Sequence, residues 1–442
     1  MLKIFRLFLL SGAVIAVAGS AQAQNVKFTE YNLPNGLHVI LHQDNTNPVV
    51  AVTVMYHVGS KNEVDGRTGF AHFFEHLLFE GSKNIGRGEF MKIVANHGGN
   101  FNANTTQDRT FYYESFPSNE LELGLWLESE RMMHPVINEI GVKTQNEVVK
   151  EEKRMRMDNA PYGNLVNVVF DKLFTNHPYH RSVIGSMEDL DAARLPEFQA
   201  FFKKYYGPGN AVLTIAGDID IAKTKQLVAA YFGPIPKGQP VVQPNVREAP
   251  ITKEIIDTAY DANIQIPAIL TAYRTPGENT RDARVLELIA NYLSNGASSK
   301  LARKMVDEKK EALVVQAFNY ALEDYGAYMT FALPNGATPL DTLLHEMDVE
   351  IAKVRTDLIS EKDMEKLKNQ VENNLVTANQ SMLGVAENLA NGYTFFNNTN
   401  YINEELKLYQ SITREQIREV AKKYLDPNSR LVLYYLPKAQ GK

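Results

Sequence analysis

Two short apolar-rich runs, Phe28 to Leu33 and Leu37 to Leu41, flank Pro34-Asn35-Gly36, a pattern that predicts a hairpin. Val49 to Val58 is rich in β-branched residues and predicts a further strand. The spacing then changes. Apolar residues recur every three or four positions from about Thr68 to Phe79, around Glu120 to Met133, and from Ile140 to Met157, which predicts three helices. In the middle of the chain, Gly233-Pro234-Ile235-Pro236 opens a stretch that also holds Gly238, Pro240, Pro244 and Pro250, and so many breakers mark a linker.

The two sides of that linker resemble each other. Lys203-Lys204-Tyr205-Tyr206-Gly207-Pro208 is followed by Ala211-Val212-Leu213, and Lys422-Lys423-Tyr424-Leu425-Asp426-Pro427 by Leu431-Val432-Leu433. A similar shift sets Gly296 opposite Gly81, each just after a helical segment. Two matches at nearly one offset imply an internal duplication. The expected fold class is α+β, with two homologous domains, each of helices and an antiparallel sheet. In the second half, Glu287, Ala290 and Asn291 fall opposite His72, Glu75 and His76, so any chemistry carried by those histidines belongs to the first half alone.

A length of 442 residues calls for at least two domains. With 46 Lys plus Arg against 52 Asp plus Glu the net charge is -6, which argues against nucleic-acid binding and offers no basic patch to a membrane. The first residues are different in kind. Lys3 and Arg6 lead into an apolar run from Leu7 to Ala18 and then Ala21-Gln22-Ala23, the parts of a secretory signal peptide spanning residues 1–23. That run is shorter than the roughly 20 residues a membrane span requires. The mature protein is therefore expected to be exported, to the periplasm, without stable membrane insertion. There is no cysteine, so a metal site would have to use His, Asp or Glu, the ligand set of catalytic zinc.

Such a site is offered by His72-Phe73-Phe74-Glu75-His76. Residues four apart stack on one helical face, so both imidazoles can reach one ion. Glu75 borders the same face, where a carboxylate can take a proton from water. Two histidines four apart are often incidental; the Glu between them on an apolar helix turns the balance toward metal.

The run Gly69 to Gly81, GFAHFFEHLLFEG, resembles the active-site helix of the pitrilysin family of inverted zinc peptidases (H-x-x-E-H), which includes mitochondrial processing peptidase. The likeness continues through Gly98 to Ala103, through Glu147 to Gly163, and through His177-Pro178-Tyr179, Ile184-Gly185 and Gly217-Asp218, and fits the short two-domain bacterial members. It implies a zinc-dependent endopeptidase with one Zn2+ per chain, held by His72, His76 and a downstream Glu. Of Glu147, Glu151 and Glu152, the pattern E-x-x-V-V-x-E-E favours Glu152, with Glu151 as the rival. Glu75 would be the catalytic base. Gly99 to Thr106 would form an edge strand beside the zinc, to which a peptide substrate adds through its backbone, with Asn102 and Ala103 as contacts. The implied division is a zinc-binding domain over 24–236, a linker over 237–250, and a homologous domain without metal over 251–442.

The chain departs from the family at two places. Gln145 stands where a Glu is common seven residues before the ligand Glu, which removes a negative charge near the metal. The family's Arg and Tyr substrate clamp, expected after Ser298-Ser299-Lys300-Leu301, is replaced by Val306 and by Val314 or Val315. The expected partner is thus a homologous subunit that supplies the clamp in a heterodimer. The alternative is that this chain is itself a non-catalytic or weakly active subunit.

Overall fold

A computed structural model describes residues 25–296 and 298–438; the expected signal peptide lies outside them. Strands β1 (Thr29–Asn32), β2 (His38–Gln43), β3 (Val49–Tyr56), β4 (Asn100–Thr105), β5 (Thr110–Pro117) and β6 (Ala211–Gly217) form a sheet in the order β1-β2-β6-β3-β5-β4. Strands β7 (Ile255–Asp261), β8 (Ala268–Pro276), β9 (Ala312–Ala321), β10 (Tyr325–Pro334) and β11 (Leu431–Pro437) form a second, in the order β7-β11-β8-β10-β9. Remove β1 and the two orders are the same. Each sheet is antiparallel apart from one parallel pair, β2 with β6 and β7 with β11, at the same place in both. The duplication read from the two Lys-Lys-Tyr runs is therefore a repeat of topology. Gly81 and Gly296, matched in the sequence, both adopt positive φ (130° and 84°) just beyond a helix.

Strand β6 is buried along its whole length, which is why Ala211-Val212-Leu213-Thr214-Ile215-Ala216-Gly217 reads as an apolar run without alternation. The predicted hairpin, the strand from Val49 and all three helices are present. The third differs in its end. Regular helix stops at Lys153, and Arg154–Asp158 continues as a wider π-turn. Between Phe232 and Ile255 the chain has neither helix nor strand.

The two halves interlock. Helix Leu165–Leu173 of the first half packs Leu165, Val169, Phe170 and Leu173 against Leu270, Leu431 and Leu433 of the second sheet. Helix Met382–Phe396 of the second half returns the favour, setting Val385, Leu389 and Ala390 on Ile40, Met55 and Val212 of the first. Each buried aliphatic side chain of this kind contributes about 1.5–3 kcal/mol. No helix among the described residues is long and apolar enough to cross a membrane.

Candidate metal centre

The helix Phe70–Leu77 begins where Gly69 turns the chain with a φ of 88°, and a Cβ there would lie 2.6 Å from the Ile184 carbonyl oxygen. Only glycine fits. The buried Glu63 carboxylate accepts the Gly69 and Ala71 N–H groups at 2.8 Å each, which anchors the helix start; burial pushes this carboxyl up to about 8. Phe70, Phe73 and Phe74 face the core and pack on Phe198 and Phe201 of the helix Leu195–Tyr205. Tyr112 donates to the Phe74 carbonyl at 2.7 Å. The helix is thus fixed on three sides, and its remaining face carries His72, Glu75 and His76.

The third acid arrives from the helix Glu139–Lys153. Glu152 Oε2 lies 3.0 Å from His76 Nε2 and 3.6 Å from His72 Nε2, with the imidazole centroids 4.9 Å apart. Donor atoms of His72, His76 and Glu152 all fall within 4.8 Å of one another. The other candidates do not join them: Glu151 lines the same cleft but is more than half exposed and pairs with Arg154 at 3.1 Å, and Glu147 is exposed beside Lys150 at 3.4 Å. Glu152 is held from behind by Arg156, whose guanidinium lies 2.9 Å from Oε1 and leaves Oε2 to the imidazoles.

The electrostatics suit a cation. Burial, and then the nearby His76, push the His72 imidazole down to about 4, so it is neutral with a free lone pair at ordinary pH. A hydrogen bond from His76 is the main cause holding the Glu152 carboxyl below its usual value. Two imidazoles and one carboxylate converging on one point are a fitting donor set for zinc, and three protein ligands leave a coordination position open. Glu75 does not join them. Its Oε2 accepts a 2.7 Å hydrogen bond from the Thr105 hydroxyl, and burial raises its pKa against that bond.

These groups share a cleft of about 620 Å³, whose opposite wall is β4 from Asn102 to Thr105. Strand β4 is the outermost of its sheet, paired on one side only, with β5. Asn102 is exposed there, while Ala103 is buried and its N–H is taken by the Asn102 side-chain oxygen at 2.9 Å. The amide of Gln145 is turned toward Glu80, which also pairs with Arg87, so a carboxylate stands against the position where the sequence lacks one. Val306 lies in the π-turn Ala302–Glu308, half-buried against the second core, and Val314 and Val315 lie on β9, an edge strand. His177 is fully buried and accepts the Tyr179 N–H, as expected of a structural loop.

Three contributors went unnoticed in the sequence. Arg156 could have been found, since it follows Glu152 by one helical turn. Glu63 bonds residues only six and eight positions ahead of it, and Thr105 carries no local signal, because what it bonds is set by the tertiary fold.

The chain thus consists of two similar α+β units, one with an H-x-x-E-H helix and one without. The model described as Insulinase (Peptidase family M16) matches residues 38–186, and that described as Peptidase M16 inactive domain matches 193–371; the chain belongs to the peptidase M16 family. The second half, where Glu287, Ala290 and Asn291 replace the histidine motif, falls largely within the inactive-domain match. The chain is 28% identical over 446 residues to the zinc protease PqqE of Helicobacter pylori, covering 98% of each. It superposes on the crystal structure of a protease from Helicobacter pylori with a TM-score of 0.88 at 28% identity, covering 93% of this chain and 99% of that one. It shares its fold with the periplasmic protease PqqL of Escherichia coli (TM-score 0.75, 19% identity), covering 92% of this chain and 47% of that one.

Proposed function

We propose that the chain is an exported zinc endopeptidase that hydrolyses peptides or unfolded proteins in extended form, with residues 24–236 as its peptidase domain. The observation that carries this reading is the convergence of His72, His76 and Glu152 beside a separate, buried Glu75. When bound, zinc supplies a Lewis acid that polarises the scissile carbonyl and acidifies water. Glu75 takes the proton from the attacking water and passes it to the leaving amine. Burial raises its pKa, which favours its holding the proton, and the Thr105 hydroxyl fixes one carboxylate oxygen while the other stays free to carry it. Strand β4 aligns the substrate through its unpaired edge, with Asn102 and Ala103 beside the scissile region.

The resemblance to mitochondrial processing peptidase extends to assembly. With Val306, Val314 and Val315 in place of an Arg and Tyr clamp, the chain is one half of a heterodimer whose homologous partner supplies it. PqqL, a single chain of which this one covers 47%, has the length of two such halves and supports the pairing. Its description as periplasmic, with the leader at residues 1–23, supports export. A second reading, a non-catalytic or weakly active subunit, is favoured by the lost clamp. The test is to purify the protein from its host, measure zinc, and compare peptide cleavage with and without whatever co-elutes. One zinc per chain and activity that depends on a homologous partner are expected; full activity from the chain alone overturns the pairing, and zinc with no cleavage in either state supports the second reading.

A further inference from the structure

The metal-free half meets the turn beside the candidate site through its β9–β10 hairpin and through Glu387, which pairs with Arg109 at 2.6 Å. The tip of its β9–β10 hairpin, Leu322 to Asp324, docks on the turn Thr106–Arg109 that joins β4 to β5 in the first half. Asp108 in that turn is nearly fully buried. It accepts from Lys61 Nζ at 2.9 Å, the Tyr179 hydroxyl at 2.7 Å and the Glu323 N–H at 3.0 Å. Lys61, equally buried, also pairs with the Glu323 carboxylate, to which His57 adds a 2.7 Å contact, and with Asp324 at 3.4 Å. Burial alone would push the Lys61 ammonium down, but Asp108 and Glu323 outweigh it and hold it above its ordinary value. Behind the turn, the Ser60 and Lys61 N–H groups donate to the Thr106 and Gln107 carbonyls, an approach so close that a Cβ on Gly59 would run into that backbone. One residue before the turn, Thr105 makes the hydrogen bond to Glu75.

We infer that Lys61, Asp108 and Glu323 are positioning residues through which the second half fixes β4, and with it Thr105 and the Glu75 carboxylate. The inference rests on the peptidase reading for its catalytic part. Among its described residues the second half adds no donor to the metal group, yet charge-assisted bonds run from its hairpin tip to Asp108, in the turn that directly follows Thr105, the residue that orients the base. Charge-assisted bonds are the strong ones, and misplacing a reacting group by a fraction of an ångström is costly in rate. The duplicated half therefore serves the site as a rigid abutment for the substrate strand.

Two measurements on the zinc-loaded protein, with its co-purifying subunit where there is one, test this. The first is hydrogen exchange in Glu323→Ala, a change at a partly exposed tip that the fold should tolerate. Amides across 100–109 should exchange about tenfold faster than in the wild type, with the helix Phe70–Leu77 unchanged. Unaltered protection of β4 overturns the inference. The second is a double-mutant cycle on kcat with Thr105→Val. Glu323→Ala alone should lower kcat about fivefold with zinc content unchanged, and by less than about twofold when Thr105 is already Val. Equal effects in both backgrounds mean that Glu323 does not act through Thr105. Absence of zinc or hydrolysis in the wild type refutes the peptidase reading instead, and the exchange result still decides whether the second half holds β4.

Discussion

Replacing Glu152 with Gln, and separately Glu151 with Gln, asks which of two adjacent acids the metal uses. Glu152 Oε2 is 3.0 Å from one imidazole nitrogen and 3.6 Å from the other, and is the only carboxylate oxygen in the donor group. Its amide replacement removes the one anionic ligand and leaves the two imidazoles. It also leaves the Arg156 guanidinium, now 2.9 Å from a carboxylate oxygen, without its countercharge beside the ion. Changes one shell further out typically cost 10–100-fold in metal affinity. Losing a ligand should exceed that, so Glu152→Gln is expected to weaken zinc by more than about 100-fold, or about 2.7 kcal/mol. Glu151→Gln should change it by less than about twofold, because an exposed pair with Arg154 is worth at most about 1 kcal/mol and faces solvent. Competition against a chelator of known affinity reads both constants directly. If Glu151→Gln is the damaging change, the assignment of the third donor is wrong.

Other residues give further tests. Burial, with Asp108 adding to it, pushes the Glu278 carboxyl up from 4.5 to about 7, so the fold favours its neutral form. That stability is complete below the unfolded value and is lost as pH rises through 7, about 3 kcal/mol in all; Glu278→Gln should unfold in urea like the wild type near pH 4 and be more stable at pH 8, and an equal difference at both pH values would contradict this. Arg131 is fully buried between Glu114 at 2.9 Å and Glu128 at 3.1 Å, so Arg131→Met should cost about 3–5 kcal/mol by stranding two acids. Adding Glu114→Gln and Glu128→Gln should recover most of that loss in the same urea titration; no recovery would mean that packing on Phe79, Phe90 and Tyr112, and not charge, is what Arg131 provides.

Much of the architecture was legible because it is written in short-range pattern. The breakers after Phe232 mark a stretch that has no regular element, and the two Lys-Lys-Tyr runs precede β6 and β11, equivalent strands of the two sheets. The histidine helix was legible because its spacing is the chemistry. The acid was less so: Glu151 and Glu152 differ by one position, about 100° around a helix, and the packing of the helix Glu139–Lys153 against the histidine helix decides between them. Nothing local announces that Arg154–Asp158 widens into a π-turn. The interlocked helices Leu165–Leu173 and Met382–Phe396 were also hidden, since an apolar face does not say which sheet it covers. For the same reason the role of Thr105 and the Lys61–Asp108–Glu323 junction emerge only when residues far apart in sequence are brought together.

The most direct test of the central claim is the single change Glu75→Gln, made in the protein as purified with any subunit that accompanies it. Glu75 is outside the donor group and bonded to Thr105, so its amide variant should keep one zinc per chain, with unaltered affinity. Hydrolysis of an extended peptide should fall by at least about 100-fold, the usual contribution of a general base. Zinc content and turnover are measured on the same sample. Full zinc with turnover near that of the wild type would contradict the assignment of Glu75 as the base, and loss of zinc together with activity would place Glu75 among the ligands instead.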